Sequence, residues 1–103
     1  MIYEIKLNGY NFLMSNSDSN QPDKLGFFAT RIVEGTDEND AIEKALDLIQ
    51  NDQSILVNLE NTQDDMPRLQ IESVKVINQD KRSNMDIEST NKTYMFYPDD
   101  DEK

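Results

Sequence analysis

The sequence lacks both cysteine and histidine, and these two absences remove most common catalytic and metal sites. Disulfides, thiolate nucleophiles, Ser-His-Asp and Cys-His arrangements and the usual zinc sites are all excluded. Only 3 of the 103 residues are glycine, and no glycine-rich loop is present to cradle a phosphate. Carboxylates, tyrosine, lysine and arginine remain for acid–base chemistry, but no motif arranges them. We therefore expect a protein that is not an enzyme and holds no cofactor.

Apolar residues and positive charges are also scarce. Hydrophobic residues make up 36% of the chain, and 21 acidic residues face 10 basic ones, for a net charge of −11. Such a composition leans toward disorder, but the apolar residues are concentrated in periodic segments, which indicates one folded domain with a modest core. No signal-peptide pattern and no apolar run near the roughly 20 residues that cross a bilayer are present. We expect a cytoplasmic protein with no membrane association.

The clearest structural signal is a strand that leads directly into a helix. Residues 26–35 alternate between two faces, as in a strand. Asp37 is placed to cap the following helix, with Thr36 as the competing cap and Asp40 as a short-armed partner in a capping box. The helix is predicted over residues 37–50. Its apolar stripe has the spacing i, i+3, i+4, i+7: Ile42, Ala45, Leu46 and Ile49.

Alternation predicts three further strands. Residues 3–8 form the first, and the apolar residues after Gly9 either continue it past a bulge or start a hairpin. Residues 69–76 form another, with a change of phase near Ser73 that a bulge would cause. Residues 94–97 form the last.

The remaining segments are polar or ambiguous. The apolar run 55–59 is either a strand or an extra helical turn. Residues 99–103, four of which are acidic, are expected to be a disordered tail. Loops or mobile polar stretches are predicted over residues 15–24, 63–67 and 79–92. The sequence thus predicts one α+β domain over residues 1–98: a mainly antiparallel sheet of four or five strands with one amphipathic helix packed on one face.

Four charged residues are candidates for binding a partner. Arg31 lies mid-strand on the face where apolar residues are expected. Its planar fork either binds a carboxylate or phosphate or pairs with a neighbouring acid while its stem packs along the sheet. Asp40, Glu43 and Asp47 are spaced by three and four and line one side of the helix, where like charges repel by a few tenths of a kcal/mol per pair. That surface is either a site for a basic partner or a solvated face whose charges are screened or neutralised.

Two other patterns are weaker. Residues 16–20 have the alternate oxygen ligands that open an EF-hand loop, but Gln21 stands where glycine is needed and Phe27 where a bidentate glutamate is needed. We therefore expect a solvated loop and no metal. The eight aromatic residues could stack nucleic acid bases, but such platforms need basic surroundings. We expect core packing instead, with no direct nucleic acid binding.

One stretch of the chain resembles a family. The strand Gly26-Phe27-Phe28-Ala29-Thr30-Arg31-Ile32-Val33-Glu34, with the acidic helix start after it, is similar to uncharacterised small bacterial proteins that carry a G-F-[FY]-x-T-R-x-V-x-A strand before an acidic, alanine-containing helix. Pro67-Arg68-Leu69 and the aromatic strand that ends at Pro98 also fit, while Gly35 stands where alanine is usual. The resemblance implies a bacterial cytosolic origin and no activity.

These observations favour a small cytosolic, non-enzymatic binding domain. Its partner is expected to be another protein or a second copy in a homodimer, because a small sheet leaves edges open to pairing. The alternative is an acidic inhibitor, either an immunity-type protein or a nucleic-acid mimic, that occupies a basic protein surface. The candidate partner-binding residues are Arg31, Asp40, Glu43 and Asp47.

Overall fold

A four-stranded antiparallel sheet with one main helix on one face forms the fold, which confirms the predicted α+β class. The computed structural model describes residues 1–15, 21–77 and 90–99. The elements are β1 (Ile2–Met14), β2 (Asp23–Glu34), α1 (Glu38–Gln50), α2 (Gln53–Leu56), β3 (Arg68–Ile77) and β4 (Met95–Pro98). The strands are ordered β3-β1-β2-β4, so β3 and β4 are the edges.

Several boundaries differ from those predicted. The first strand continues past Gly9 through a bulge, as one of the two predicted alternatives had it. The predicted loop over residues 15–24 was too long, because β2 already begins at Asp23, which pairs with Met14. The ambiguous run 55–59 begins as helix α2 and ends with Leu59 bridged to β1.

The predicted change of phase in β3 is confirmed. The register against β1 shifts between Lys6, which faces Ser73, and Leu7, which faces Ile71. Glu72 is therefore the extra residue of a bulge. Predictions for residues 16–20 and 100–103, and for most of the stretch 79–92, lie outside the described residues.

The core lies between the sheet and α1. The helix buries the predicted stripe positions Ala45 and Ile49 together with Ala41, while Ile42 and Leu46 are partly buried at its margin. A second, smaller cluster occupies the other face of the sheet and consists of Ile2, Ile32 and Ile77. The main core contains twelve buried residues: Tyr3, Ile5, Leu7, Phe12, Met14, Phe27, Ala29, Val33, Ala41, Ala45, Ile49 and Ile55.

The helix starts as the sequence predicts. The Asp37 carboxylate caps α1 by accepting the backbone N–H of Asp40 at 2.8 Å. The Asp40 carboxylate accepts the backbone N–H of Thr36 at 2.9 Å, so the two acids exchange bonds with the turn in the manner of a capping box. Within the described part of the chain, no helix is long and apolar enough to span a bilayer.

Two glycines lie directly opposite aromatic residues on neighbouring strands. Gly9 of β1 pairs with Phe27 of β2, and Gly26 of β2 pairs with Tyr97 of β4. In both cases the ring occupies the space in which a Cβ would lie. Aromatic rings that cover cross-strand glycines are a known means of stabilising a sheet where glycine leaves a gap.

Two asparagine side chains extend the sheet where its edge strands stop. Asn61 accepts the N–H of Leu13 at 2.9 Å and donates to the carbonyl oxygen of Asn11 at 2.8 Å. Asn91 accepts the N–H of Ile32 at 2.7 Å and donates to the carbonyl oxygen of Ile32 at 3.0 Å. Each amide replaces a missing strand, so these backbone groups stay paired.

Candidate functional site

An apolar groove lies where α1, α2 and the segment before β3 meet the sheet. Its volume is about 380 Å³, within the range of about 300–1,000 Å³ that ligand pockets commonly have. Leu56 and Met66, which are 40% and 60% exposed, form part of its mouth. Nine of its ten lining residues are apolar: Phe12, Leu46, Ile49, Gln50, Ile55, Leu56, Leu59, Met66, Pro67 and Leu69.

Residues 59–67 form the outer wall of the groove, and hydrogen bonds hold this wall to residues 11–13 of β1. The Asn61 amide, besides its bonds to β1, donates to the carbonyl oxygen of Asp65 at 2.8 Å. Asn11 in turn donates to the Asp65 carboxylate at 2.8 Å and to the carbonyl oxygen of Met66 at 3.1 Å. The N–H of Glu60 donates to the carbonyl oxygen of Leu13 at 2.7 Å. The wall is therefore built before any ligand arrives, which lowers the ordering cost of binding.

The segment that supplies eight of the ten lining residues carries negative charge only, and Arg68 follows it directly. Residues 46–67 contain no lysine or arginine. Glu43 lies three residues before Leu46 and seven before Gln50, so it is on the shoulder of α1 that borders the groove. A ligand in the groove would therefore meet a field that favours cations. The acids within residues 46–67 are Asp47, Asp52, Glu60, Asp64 and Asp65.

The predicted acidic residues of α1 differ in their surroundings. Asp40 is tied down by the Thr36 N–H and by a salt bridge to Lys44 of 3.3 Å. These two contacts lower the pKa of Asp40, the backbone hydrogen bond more than the lysine. Glu43 and Asp47 are exposed and make no salt bridge to the residues described in the structure. Of the three acids predicted to bind a partner, Glu43 and Asp47 are therefore open and Asp40 is not.

Arg31 lies inside the protein, apart from the other three candidates. Its side chain is fully buried, with Nη1 donating to the carbonyl oxygens of Thr30 at 2.8 Å, Thr93 at 3.1 Å and Thr90 at 3.3 Å. Its Cζ lies 4.7 Å from the centre of the Tyr94 ring, within the range of a cation–π interaction. Nε and Nη2 have no hydrogen-bond partner among the residues that the structure describes. Arg31 therefore joins the segment before β4 to β2, and its guanidinium is not on the surface.

The tyrosine that stacks against this buried arginine is hydrogen-bonded to the cap of the second helix. Tyr94 donates from its hydroxyl to Oδ2 of Asp52 at 2.6 Å, and Asp52 caps α2 through Ser54. Burial and the bond to Asp52 raise the pKa of Tyr94 to about 12. Burial alone would raise the pKa of Asp52, but hydrogen bonds from Tyr94 and Ser54 and the nearby charge of Arg31 hold it below its usual value.

Sequence reasoning missed the groove. Its lining comes from α1, from the run 55–59 and from the predicted loop 63–67, which are adjacent only after folding. The signal that was present is Met66, an apolar residue in a polar loop next to a proline. Within the described residues, no group of three or more acidic side chains could hold a metal ion.

Comparison with known protein families, curated proteins and solved structures finds no match to this chain.

Proposed function

We propose that this chain is a small cytoplasmic, non-enzymatic binding domain whose apolar groove holds a segment of another protein. The observation that supports this most is the groove itself. It is almost wholly apolar, it is open to solvent at Leu56 and Met66, and hydrogen bonds through Asn61 fix its outer wall. Exposed apolar surface in a concave, pre-formed site is the usual mark of a binding site.

The segment that fits best is an amphipathic helix with basic residues flanking its apolar face. Such helices place apolar side chains at i, i+3, i+4 and i+7 into a groove. Residues 46–67 contain five acids and no bases, so their negative charge complements lysine or arginine on the flanks of that helix. Met66 at the mouth has a flexible side chain that can adapt to apolar groups of different shape.

Methionine methyl groups provide a direct test. Met66 lies at the groove and is 60% exposed, whereas Met95 is 67% exposed on β4, outside the groove. The full chain with isotope-labelled methionine methyl groups is titrated with a synthetic helical peptide of leucine and lysine. The Met66 signal should shift on binding and the Met95 signal should not.

Two matched comparisons complete the experiment. Met66→Gln should weaken binding of this peptide, while Met95→Gln, an equally exposed position, should leave it unchanged. A peptide of the same composition in scrambled order, which has no apolar face, should bind much more weakly. Equal affinity for both peptides, or equal shifts of both methionine signals, would show that only the net charge attracts the peptide.

The second candidate is the acidic inhibitor, which the open carboxylates Glu43 and Asp47 favour. A basic protein surface would then sit on the outer side of α1 rather than in the groove. Salt separates the two functions, because exposed charge pairs are screened. A partner held by Glu43 and Asp47 should be lost between about 0.1 and 0.5 M salt and after Glu43→Lys with Asp47→Lys. A partner held in the groove keeps its apolar contacts, so both changes should weaken its binding without abolishing it.

A further inference from the structure

The edge strand β3 differs from the rest of the chain in its charge. Its ten residues carry two bases, Arg68 and Lys75, and one acid, Glu72, for a net charge of +1. The whole chain has a net charge of −11. Two copies that approach each other through α1 would meet strong like-charge repulsion, whereas two β3 strands would not.

Apart from Ile77, the apolar pattern of β3 is the same in both directions. Its four apolar residues before Ile77 are Leu69, Ile71, Val74 and Val76, and they are symmetric about the midpoint between Glu72 and Ser73. That midpoint is also the centre of the strand, which runs from 68 to 77, and the site of the bulge. Because the bulge shifts the phase, Leu69 and Ile71 lie on the same face as Val74 and Val76, the face opposite Gly9, Leu7, Ile5 and Tyr3 of β1.

This edge is also accessible. In the part of the chain that the structure describes, β3 pairs with β1 only, so its outer edge has no strand beside it. Val76 is 50% exposed, and Leu69, Ile71 and Val74 are only partly buried against the main core. A second copy would bury these side chains further. The other edge, β4, has only four residues and ends in a proline, which cannot extend a ladder.

We infer that two copies of this chain pair antiparallel through β3 about a two-fold axis between Glu72 and Ser73, forming one eight-stranded sheet. In this register all ten residues of β3 pair with β3 of the second copy, and Arg68 lies opposite Ile77. Leu69 faces Val76 and Ile71 faces Val74, so apolar side chains meet on one face. On the other face Gln70 meets Lys75 and Glu72 meets Ser73. No two like charges are directly opposed, which antiparallel pairing would otherwise penalise.

A lysine introduced on the apolar face of β3 tests the proposed interface, because natural edge strands use such charged side chains to prevent pairing. Sedimentation equilibrium of the full chain at about 100 μM should show a dimer. Val76→Lys should raise the dimer dissociation constant at least about tenfold. Val57→Lys is the matched control, since Val57 is 70% exposed and follows α2, outside the strand β3. A monomeric wild type, or equal weakening by both substitutions, would overturn the inference.

The register has its own test, helped by the absence of cysteine. Ser73→Cys introduces the only thiol of the chain, next to the two-fold axis. Under mild oxidation it should form a covalent dimer. Gln63→Cys, an exposed position in the segment before β3, should cross-link far more slowly. A chain that dimerises but cross-links equally at both positions would overturn the proposed axis. Neither Ser73 nor Gln63 lines the groove.

Discussion

Substituting alanine for glycine at two positions of the sheet should have very different costs, although the chemical change is the same. At Gly9 the new Cβ would lie 2.5 Å from ring atoms of Phe27 and 2.8 Å from Phe12. At Gly26 it would lie closer than 3.0 Å to the ring and hydroxyl of Tyr97. Real Cβ atoms do not approach other atoms so closely, so the neighbouring aromatic ring has to move in each of the two variants.

The two rings differ in their freedom to move. Phe27 is fully buried and is packed between Phe12 at 4.8 Å, Tyr94 at 4.9 Å and Phe96 at 5.7 Å between ring centres. Tyr97 belongs to the four-residue edge strand β4 and can rotate into solvent. Doing so costs its hydrogen bond to Asn8, of 2.7 Å, and its contact with Phe28.

Overpacking a core costs typically about 1–3 kcal/mol and occasionally more. We expect Gly9→Ala to reduce the free energy of unfolding by about 3 kcal/mol or more, and Gly26→Ala by about 1–2 kcal/mol. Against a total of about 5–15 kcal/mol, urea unfolding resolves the difference. Gly35→Ala is the reference substitution, because its new Cβ would lie 3.0 Å from the Ala41 nitrogen, a milder contact than at Gly9 or Gly26. Alanine also reduces the conformational entropy of the unfolded chain, which offsets part of the energetic cost of that contact. Equal losses at Gly9 and Gly26 would refute the reasoning.

Two further predictions concern α1 and Tyr94. Ile49 is 1% exposed, so Ile49→Ala should lower the free energy of unfolding in urea by about 2–5 kcal/mol. Leu48 is 43% exposed, so Leu48→Ala should lower it by under about 1 kcal/mol. Similar losses for both variants would mean that the helix packs in another orientation. The pKa of Tyr94 is about 12, against 10.0 for an unperturbed tyrosine. Because the unfolded chain releases this proton first, stability should fall as pH rises from about 10 to 12, and Tyr94→Phe should reduce that slope; an unchanged slope would contradict the assignment.

The fold could be predicted where neighbours in sequence determine the structure. The spacing from Ile42 to Ile49 places a stripe on α1, and the shift of phase near Ser73 marks the bulge of β3, because both patterns are local. Arg31 shows the limit. Its position in the strand placed it on the covered face, but its acceptors at Thr90 and Thr93 lie about sixty residues away. The groove depends in the same way on Asn61 contacting β1 across about fifty residues, which no periodicity reports.

The strand order has a consequence for how the chain folds during synthesis. The central hairpin, β1 with β2, needs only residues 2–34 and can form before the residues of β3 have been made. β3 joins much later, because its pairing connects Ile2 to Ile77, and closing so long a loop slows folding. Until β3 emerges, the central strand β1 is itself an open edge with apolar side chains. The nascent chain is therefore most exposed to aggregation before its third strand is complete.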